Sequence, residues 1–299
     1  MIETQETLAT RFEAHRGHLR AVAYRMLGSF SEADDAVQEA WLRLSRTDAG
    51  EIENLRGWLT TVVARVALNL LRSRGTRRES SLDAALEGHV PDPVVDRADG
   101  VDPEHEALLG ADLGLALLAV LDTLSPAERV AFVLHDAFAI PFETIAPIVG
   151  RTPAATRQLA SRGRRRIQGA PKPDVGLDGQ WAVVEAFLAA SRTGSFEQLI
   201  ELLDPDVRLR SDGGPARPHL DAALRGPDAV GRQAFTYRRL AERSTQALVN
   251  GVPGGVVWTP DGEPFAVIAA TVVGGRIREL DILADPDRLR RLDLSRLAP

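Results

Sequence analysis

Apolar residues recur at helical spacing twice in the first eighty positions. Ala33, Val37, Ala40, Trp41 and Leu44 share one face, and Ser31 with Asp34 has the spacing of a capping signal, so a helix is expected over 31–44. Leu55, Trp58, Leu59, Val62, Val63, Val66 and Leu70 repeat the pattern and predict a longer helix over 55–74. Further on, Ser125-Pro126-Ala127-Glu128 reads as a capped helix start, with Ser at the cap, Pro at the first helical position and Glu completing the box. Phe142, Ile145, Ile148 and Val149 predict a short amphipathic helix, with Pro147 as a point where it can kink and Gly150 suited to its left-handed end. Thr152 and Pro153 then start another helix, with Ala155, Leu159 and Ile167 as its candidate buried side. Two helices joined by so short a Gly-containing turn make a helix-turn-helix pattern.

Beyond residue 177 the pattern changes. Trp181, Val184, Phe187 and Leu188 predict a helix ending near Gly194, followed by a short helix over 195–203 and a third over 227–242. Alternation over 207–210 reads as a strand, and four more follow in TQALVN, GGVVWT, PFAVIAATVV and RIRELDIL, with turns at 261–263 and 274–275. Helices first and a curved antiparallel sheet after suggest an α+β cone.

Composition narrows the function classes. The 299 residues are 44% hydrophobic and 26% charged, which is ordinary globular material in a length that suits about two or more domains. With no cysteine, disulfides, thiolate metal sites and cysteine nucleophiles are excluded. The pattern holds neither a membrane-spanning apolar run nor a signal peptide at MIETQETLATRF, so a soluble cytoplasmic protein without membrane partners is expected.

The net charge of −6 would argue against a nucleic-acid binder if it were evenly spread. Residues 81–111 alone are net −7, while 151–172 hold seven cations and no acid. A local basic stripe is what phosphate contact needs, and overall charge says little about it. The same shifts mark boundaries. The Pro-, Gly- and Asp-rich stretch 88–106 reads as a linker, with a shorter one at 169–176. The expected divisions are 1–80, an acidic linker over 81–111, 112–170, and 177–299.

Candidate chemistry is polar rather than catalytic. On the helix over 31–44, Asp35, Gln38, Glu39 and Leu42 lie away from the apolar stripe. Asp35 and Glu39 are like charges at i, i+4 with no local cation between them, either a solvated face or a docking surface for a basic partner. Thr61, Arg65, Asn69 and Arg72 line the far side of the next helix, ahead of Arg74, Arg77 and Arg78, which suits a nucleic-acid backbone. The second helix of the helix-turn-helix presents Thr156, Arg157, Gln158, Ser161, Arg162, Arg164, Arg165 and Arg166. Arginine can pair with guanine and glutamine with adenine through two hydrogen bonds each. Asp212, Arg217, His219 and Asp281 could line a pocket in the C-terminal segment. One histidine and scattered acids do not make a catalytic site, and His219 reads better as a loop residue. No cofactor, metal or catalytic residue is expected.

The order DDAVQEAWLRL, LRGWLTTVVARVALNLLRSR, acidic linker, LSPAERVAF…ETIAPIVGRTPAATRQLASRGRRRI resembles a bacterial sigma factor of the extracytoplasmic-function class over residues 8–168. The resemblance implies two all-α domains, a region 2 helical bundle and a region 4 helix-turn-helix. It implies docking on core RNA polymerase through Asp34, Asp35, Gln38, Glu39 and Leu42. It implies capture of the melted −10 promoter element by Arg56, Thr61, Arg65, Asn69 and Arg72, and reading of the −35 duplex by Arg157, Gln158, Ser161, Arg162 and Arg165. The C-terminal cone is similar in element order to the NTF2-like, SnoaL-type fold.

Sigma factors with such a domain form a subgroup in which it regulates the sigma domains within the same chain. HVPDP (Pro91, Asp92, Pro93) resembles its Pro-acid-Pro linker motif, SDGGPAR (Asp212, Gly213, Gly214) its Gly-rich motif, and DPDRL (Asp285, Pro286, Asp287) its Asn-Pro-Asp-Lys-Leu motif. His89 stands where an aromatic is usual, and Pro215 interrupts the glycines. Two other readings remain at this point: a helix-turn-helix regulator with a ligand-sensing NTF2-like domain, and a SnoaL-type enzyme fused to a DNA-binding module.

Overall fold

A computed structural model describes residues 5–48, 52–79, 89–103, 105, 108, 115–169 and 171–297. Expectations for Arg77 and Arg78, and for most of 80–88 and 104–114, fall outside the described side chains or residues. The chain divides into two compact units. One comprises residues 1–82, 107–110 and 120–169, and the other 83–106, 111–119 and 170–299.

The first unit opens with α1 (Gln5–Leu27), which the hydrophobic pattern did not disclose. Residues 21–28 are all buried, so the second half of this helix has no polar face to create a period. α2 (Phe30–Leu44) begins one residue earlier than expected. Its cap is Ser29, which makes no side-chain capping bond, so the signal read at Ser31 and Asp34 is not used. α3 (Leu55–Glu79) buries Leu55, Leu59, Val62, Val63, Ala64, Ala67, Leu68 and Leu71. Trp58, Val66 and Leu70, expected in the stripe, are only half-buried. The buried face is rotated toward the alanines because small side chains let α3 pack closely on both α1 and α2.

α4 (Leu115–Leu121) precedes α5 (Pro126–Phe132), where the Ser125–Glu128 capping box forms as expected. α5 runs on into a π-helical turn over Val133–Ala137. α6 (Phe142–Val149) contains Pro147 and ends at Gly150 with φ 68°. α7 (Pro153–Ile167) starts from Thr152, whose hydroxyl accepts from the Ala155 N–H. The helix-turn-helix is therefore present with the expected caps. α7 buries Thr156, Ala160 and Gly163 rather than Ala155, Leu159 and Ile167. Thr156 is fully buried, its hydroxyl donating to the Thr152 carbonyl, so it is not presented to a partner. Within this unit Phe138 meets α1: its ring lies edge-on to His18 at 5.5 Å and under the Arg25 guanidinium at 4.7 Å.

The second unit holds α8 (Leu177–Thr193), α9 (Phe196–Glu201), α10 (Pro227–Thr236), α11 (Pro286–Leu289) and a seven-stranded sheet. The strands are β1 (Val95–Arg97), β2 (Leu203–Asp212), β3 (Ala222–Arg225), β4 (Ser244–Val249), β5 (Val252–Trp258), β6 (Pro264–Val273) and β7 (Arg276–Leu283), in the order β1-β4-β5-β6-β7-β2-β3. The sheet is mixed rather than purely antiparallel, because β2 and β7 run parallel. Helices α8, α9 and α10 cover one face through Val184, Phe187, Leu199 and Val230, packed on Leu209, Ala270 and Leu280.

The described part of the expected linker is not loose chain. β1 pairs with β4, Val95 opposite Val249 and Arg97 opposite Ala247. Asn250, at φ 51° in the β4–β5 turn, fastens this strand: its side chain accepts from the Val94 N–H at 2.7 Å, and its own N–H donates to the Val94 carbonyl at 2.8 Å. An Asn-Gly pair supplies the two positive-φ residues that a tight hairpin turn needs.

Candidate functional site

Three surfaces carry the chemistry. On α2, Asp34, Asp35 and Gln38 are exposed and Leu42 is 39% exposed, with half-buried Glu39 among them. Two cations offset the acidic charge of this face, one from α1 and one at i+4 on α2 itself. Arg20 of α1 reaches Asp34 at 2.9 Å, and Arg43 reaches Glu39 at 2.8 Å. Asp35, Gln38 and Leu42 remain as an acidic–apolar face suited to a basic partner with an apolar contact point.

On α3, Arg56, Arg65, Asn69 and Arg72 are exposed, while Thr61 is half-buried with its hydroxyl donating to the Gly57 carbonyl. Arg56 donates to His18 Nδ1 at 3.1 Å, and His18 Nε2 lies 3.2 Å from the Thr60 hydroxyl. Burial, reinforced by the charges of Arg56, His15 and Arg25, pushes the His18 imidazole down to about 4. Arg74, counted above with the basic helix end, turns inward instead. It bridges Glu32 and donates to the Leu27 carbonyl at 3.0 Å.

On α7 the arginines separate into two groups. Arg164 reaches Asp136 at 2.5 Å, and Arg166 reaches Glu128 at 3.2 Å and the Thr123 carbonyl at 3.3 Å. Both are tied to the preceding turns of their own unit. Arg157, Gln158, Arg162 and Arg165 are exposed, with Ser161 half-buried between them, and Arg157 lies over the Phe142 ring at 5.3 Å. These five lie on one side of the helix, as a major-groove surface requires, with Glu128, the partner of Arg166, at its edge near Arg162 and Arg165.

The second unit brings together the three motifs that are distant in sequence. Arg288, in the first turn of α11, donates from Nε to Asp92 at 2.6 Å, from Nη1 to Asp212 at 2.8 Å, and from Nη2 to the Val90 carbonyl at 2.5 Å. Asp212 Oδ2 also receives His89 Nδ1 at 2.8 Å and the Val90 N–H at 3.2 Å. Burial opposes the charge on Asp212, but the His89 hydrogen bond, the Arg288 cation and the Val90 N–H outweigh it and hold the carboxyl at about 2.

Pro91, Asp92 and Pro93 are buried in this clasp. Asp285 caps α11 by accepting from the Asp287 and Arg288 N–H groups, while Asp287 itself is exposed and pairs with Arg290. Gly214 has φ 63°, and a Cβ there would lie 2.2 Å from Asp285 Oδ2, so only glycine lets this loop pass the cap. His89, the departure from the expected aromatic, is a hydrogen-bonding member of the clasp, and Pro215 sits exposed in the adjoining turn. The sequence reading missed Arg288, the residue that joins all three motifs. Its signal was its place in DPDRL, at the position where the resembled motif carries a lysine.

The pocket expectation is corrected. A cavity of about 160 Å³ lies between the sheet and helices α8 and α10. Phe265, Ala266 and Ile268 line it, but Asp212, Arg217, His219 and Asp281 do not. Asp281 points to the other side of β7 and is held by Arg210 at 2.7 Å. Arg217 donates to the carbonyls of Phe265 and Ala284, and His219 is exposed. No helix among the described residues is long and apolar enough to cross a membrane.

Comparison with known proteins follows this geometry. Residues 11–77 match the Sigma-70 region 2 family model and residues 114–167 the Sigma-70 region 4 model. The chain is 38% identical to the ECF RNA polymerase sigma factor SigJ of Mycobacterium tuberculosis, over 93% of this chain and 92% of that protein. It is 34% identical to the probable ECF RNA polymerase sigma factor SigI of the same species, over 95% of each. The crystal structure of M. tuberculosis SigJ superimposes with a TM-score of 0.74 at 35% identity, covering 96% of this chain and 99% of that one. The likeness therefore includes the C-terminal unit as well as the helical one.

Proposed function

The chain belongs to the extracytoplasmic-function class of RNA polymerase sigma factors, and on that premise we propose a role for each surface. A sigma factor directs core polymerase to promoters and leaves nucleotidyl transfer to the polymerase. Asp34, Asp35, Gln38, Glu39 and Leu42 of α2 dock on the core enzyme. Arg56, Thr61, Arg65, Asn69 and Arg72 of α3 hold the melted −10 element, where splayed bases and a basic surface stabilise the open strand. Arg157, Gln158, Ser161, Arg162 and Arg165 read the −35 duplex from the major groove, the remaining cations serving phosphates.

The observation that carries this reading is the sorting of α7. Arg164 and Arg166 are neutralised by acids of their own unit, and Arg157, Arg162 and Arg165 are left facing solvent. A purely structural helix would have no use for three exposed arginines on one side that make no ion pair among the described residues.

The C-terminal unit regulates the sigma domains within the same chain. It grips 89–97 through the clasp and through β1–β4 pairing, so it controls the chain that joins the two promoter-binding segments. A tethered unit acts at high effective concentration, and a weak contact suffices. The unit is not an enzyme in this reading, which is supported by a cavity lining that holds no Asp, Glu or His. The site of action is the cytoplasm, where the polymerase is.

Binding of the full-length chain to purified core RNA polymerase tests the proposal. The wild type is expected to bind, Asp35→Arg to lose binding, and the Arg162→Ala/Arg165→Ala pair to keep core binding while losing promoter-directed transcription. A folded wild-type chain that fails to bind core at near-physiological salt overturns it.

A further inference from the structure

The cavity of the C-terminal unit has no task in promoter recognition. Its walls are Val184, Phe187 and Leu188 of α8, Val257 of β5, Ile268 of β6 and Leu280 of β7. At about 160 Å³ it matches the size, roughly 150 Å³, at which an apolar protein cavity takes up benzene. Its one ionic lining residue, Arg238, is already engaged: the guanidinium donates to the Phe235 carbonyl at 2.9 Å and lies 4.4 Å from the Phe235 ring. The buried polar groups are the hydroxyls of Ser191 and Ser211, 3% and 5% exposed as residues. A cation would lose its hydration there without a counter-charge, and an anion would have only Arg238, already held on Phe235, whereas an uncharged ring loses little on entering.

The cavity also adjoins the clasp through the backbone. Ser211 and Ala284 line it, and each is followed by a clasp carboxylate, Asp212 and Asp285. The Ala284 N–H donates to the Asp212 carbonyl at 2.7 Å, and Asp212 pairs with Leu283, so the two strand ends are joined by the ladder. A close-packed interior passes a displacement on rather than absorbing it.

We propose that this cavity binds a small, uncharged, largely apolar molecule of single-ring size, and that its occupancy is felt at the clasp holding residues 89–93. The proposal deepens the regulatory reading and rests on it only for its biological consequence. Its test uses no polymerase, so its failure leaves core binding untouched, and failure of core binding leaves the cavity as it is.

Toluene and p-cresol, with benzoate and benzylamine as charged probes of similar size, are titrated calorimetrically into the full-length chain. Hydrogen exchange is then followed over 89–93. Saturable one-to-one uptake of the neutral rings is expected, with the charged rings at least about tenfold weaker. Exchange over this segment, including the Val90 N–H, is expected to change by about threefold or more on saturation. Ala234→Phe and Ala266→Leu fill the cavity from opposite walls, and each folded variant is expected to lose uptake. No saturable uptake, uptake retained by the filled variants, preference for benzoate, or saturation with unchanged exchange over 89–93 each overturns the proposal. If neither variant folds, the wild-type charge discrimination and exchange still decide it.

Discussion

In α7, Arg162 and Arg165 are exposed, and neither makes an ion pair among the described residues. In the clasp, Arg288 gives its guanidinium to two carboxylates and a carbonyl, and only 18% of its side chain is exposed. The same side chain thus serves two purposes within one protein. Where the chain supplies carboxylates, arginine holds segments together. Where it withholds them, arginine stays available to a polyanion. Arg164, one residue from Arg165, falls on the structural side because Asp136 is within reach. Counting cations in a basic stretch therefore overstates the binding surface.

The largest effect expected from breaking this contrast is Arg288→Ala. It leaves Asp92 and Asp212 buried without their cation, and losing one partner of such a pair costs about 3–5 kcal/mol. Chemical denaturation of the C-terminal transition measures it, and a change under 1 kcal/mol, as for a pair on the surface, would remove the clasp from the account.

Next comes Arg162→Ala, expected to cost about 1–3 kcal/mol of promoter affinity or to reduce the salt slope by about one, with unfolding unchanged. Salt-dependent binding of the holoenzyme to promoter DNA reads this directly. Arg164→Ala sharpens the comparison from the other side. Its pair is half exposed, so about 0–1 kcal/mol of stability is expected to go, with promoter affinity held. If Arg164→Ala and Arg162→Ala weaken promoter binding equally, the sorting of α7 fails.

A separate effect is in pH. Because the folded His18 sits at about 4 against an ordinary 6.5, the unfolded chain takes up the proton more readily between these values. The helical unit should lose stability as pH falls from about 6.5 to about 4, and His18→Gln should flatten that slope. Asp212 behaves differently: its stabilisation is complete above about 3.8 and goes as pH falls through about 2. Thermal melts across pH 4–7 should therefore show a slope from His18 and none from Asp212.

Legibility followed the range of the interactions. The capping box at Ser125 and Glu128, the Gly150 turn and the Thr152 cap are each made within a few residues, and all were readable. Thr156 was misplaced because a polar residue was taken as outward-facing, yet its hydroxyl is satisfied by the turn before it. The second half of α1 was invisible because burial on all sides leaves no period. β1 was missed because it is three residues long and its partner β4 lies some 150 residues away in sequence. The three motifs of the clasp were each visible, but nothing local says that Asp92, Asp212 and Arg288 meet.

What the sequence determined by itself was the set of elements with short-range signals: the helix-turn-helix, the basic and acidic faces, the longer helices and strands of the C-terminal unit but not β1, β3 or α11, and through them the family. Tertiary structure alone decided which charges are partnered. It turned part of an apparent linker into an edge strand, moved Asp281 away from the cavity, and made Arg288 the centre of the clasp. The physical reason is that caps and periods depend on neighbours along the chain. The fate of a charge depends on what the fold brings within about 3 Å of it, from any distance in sequence.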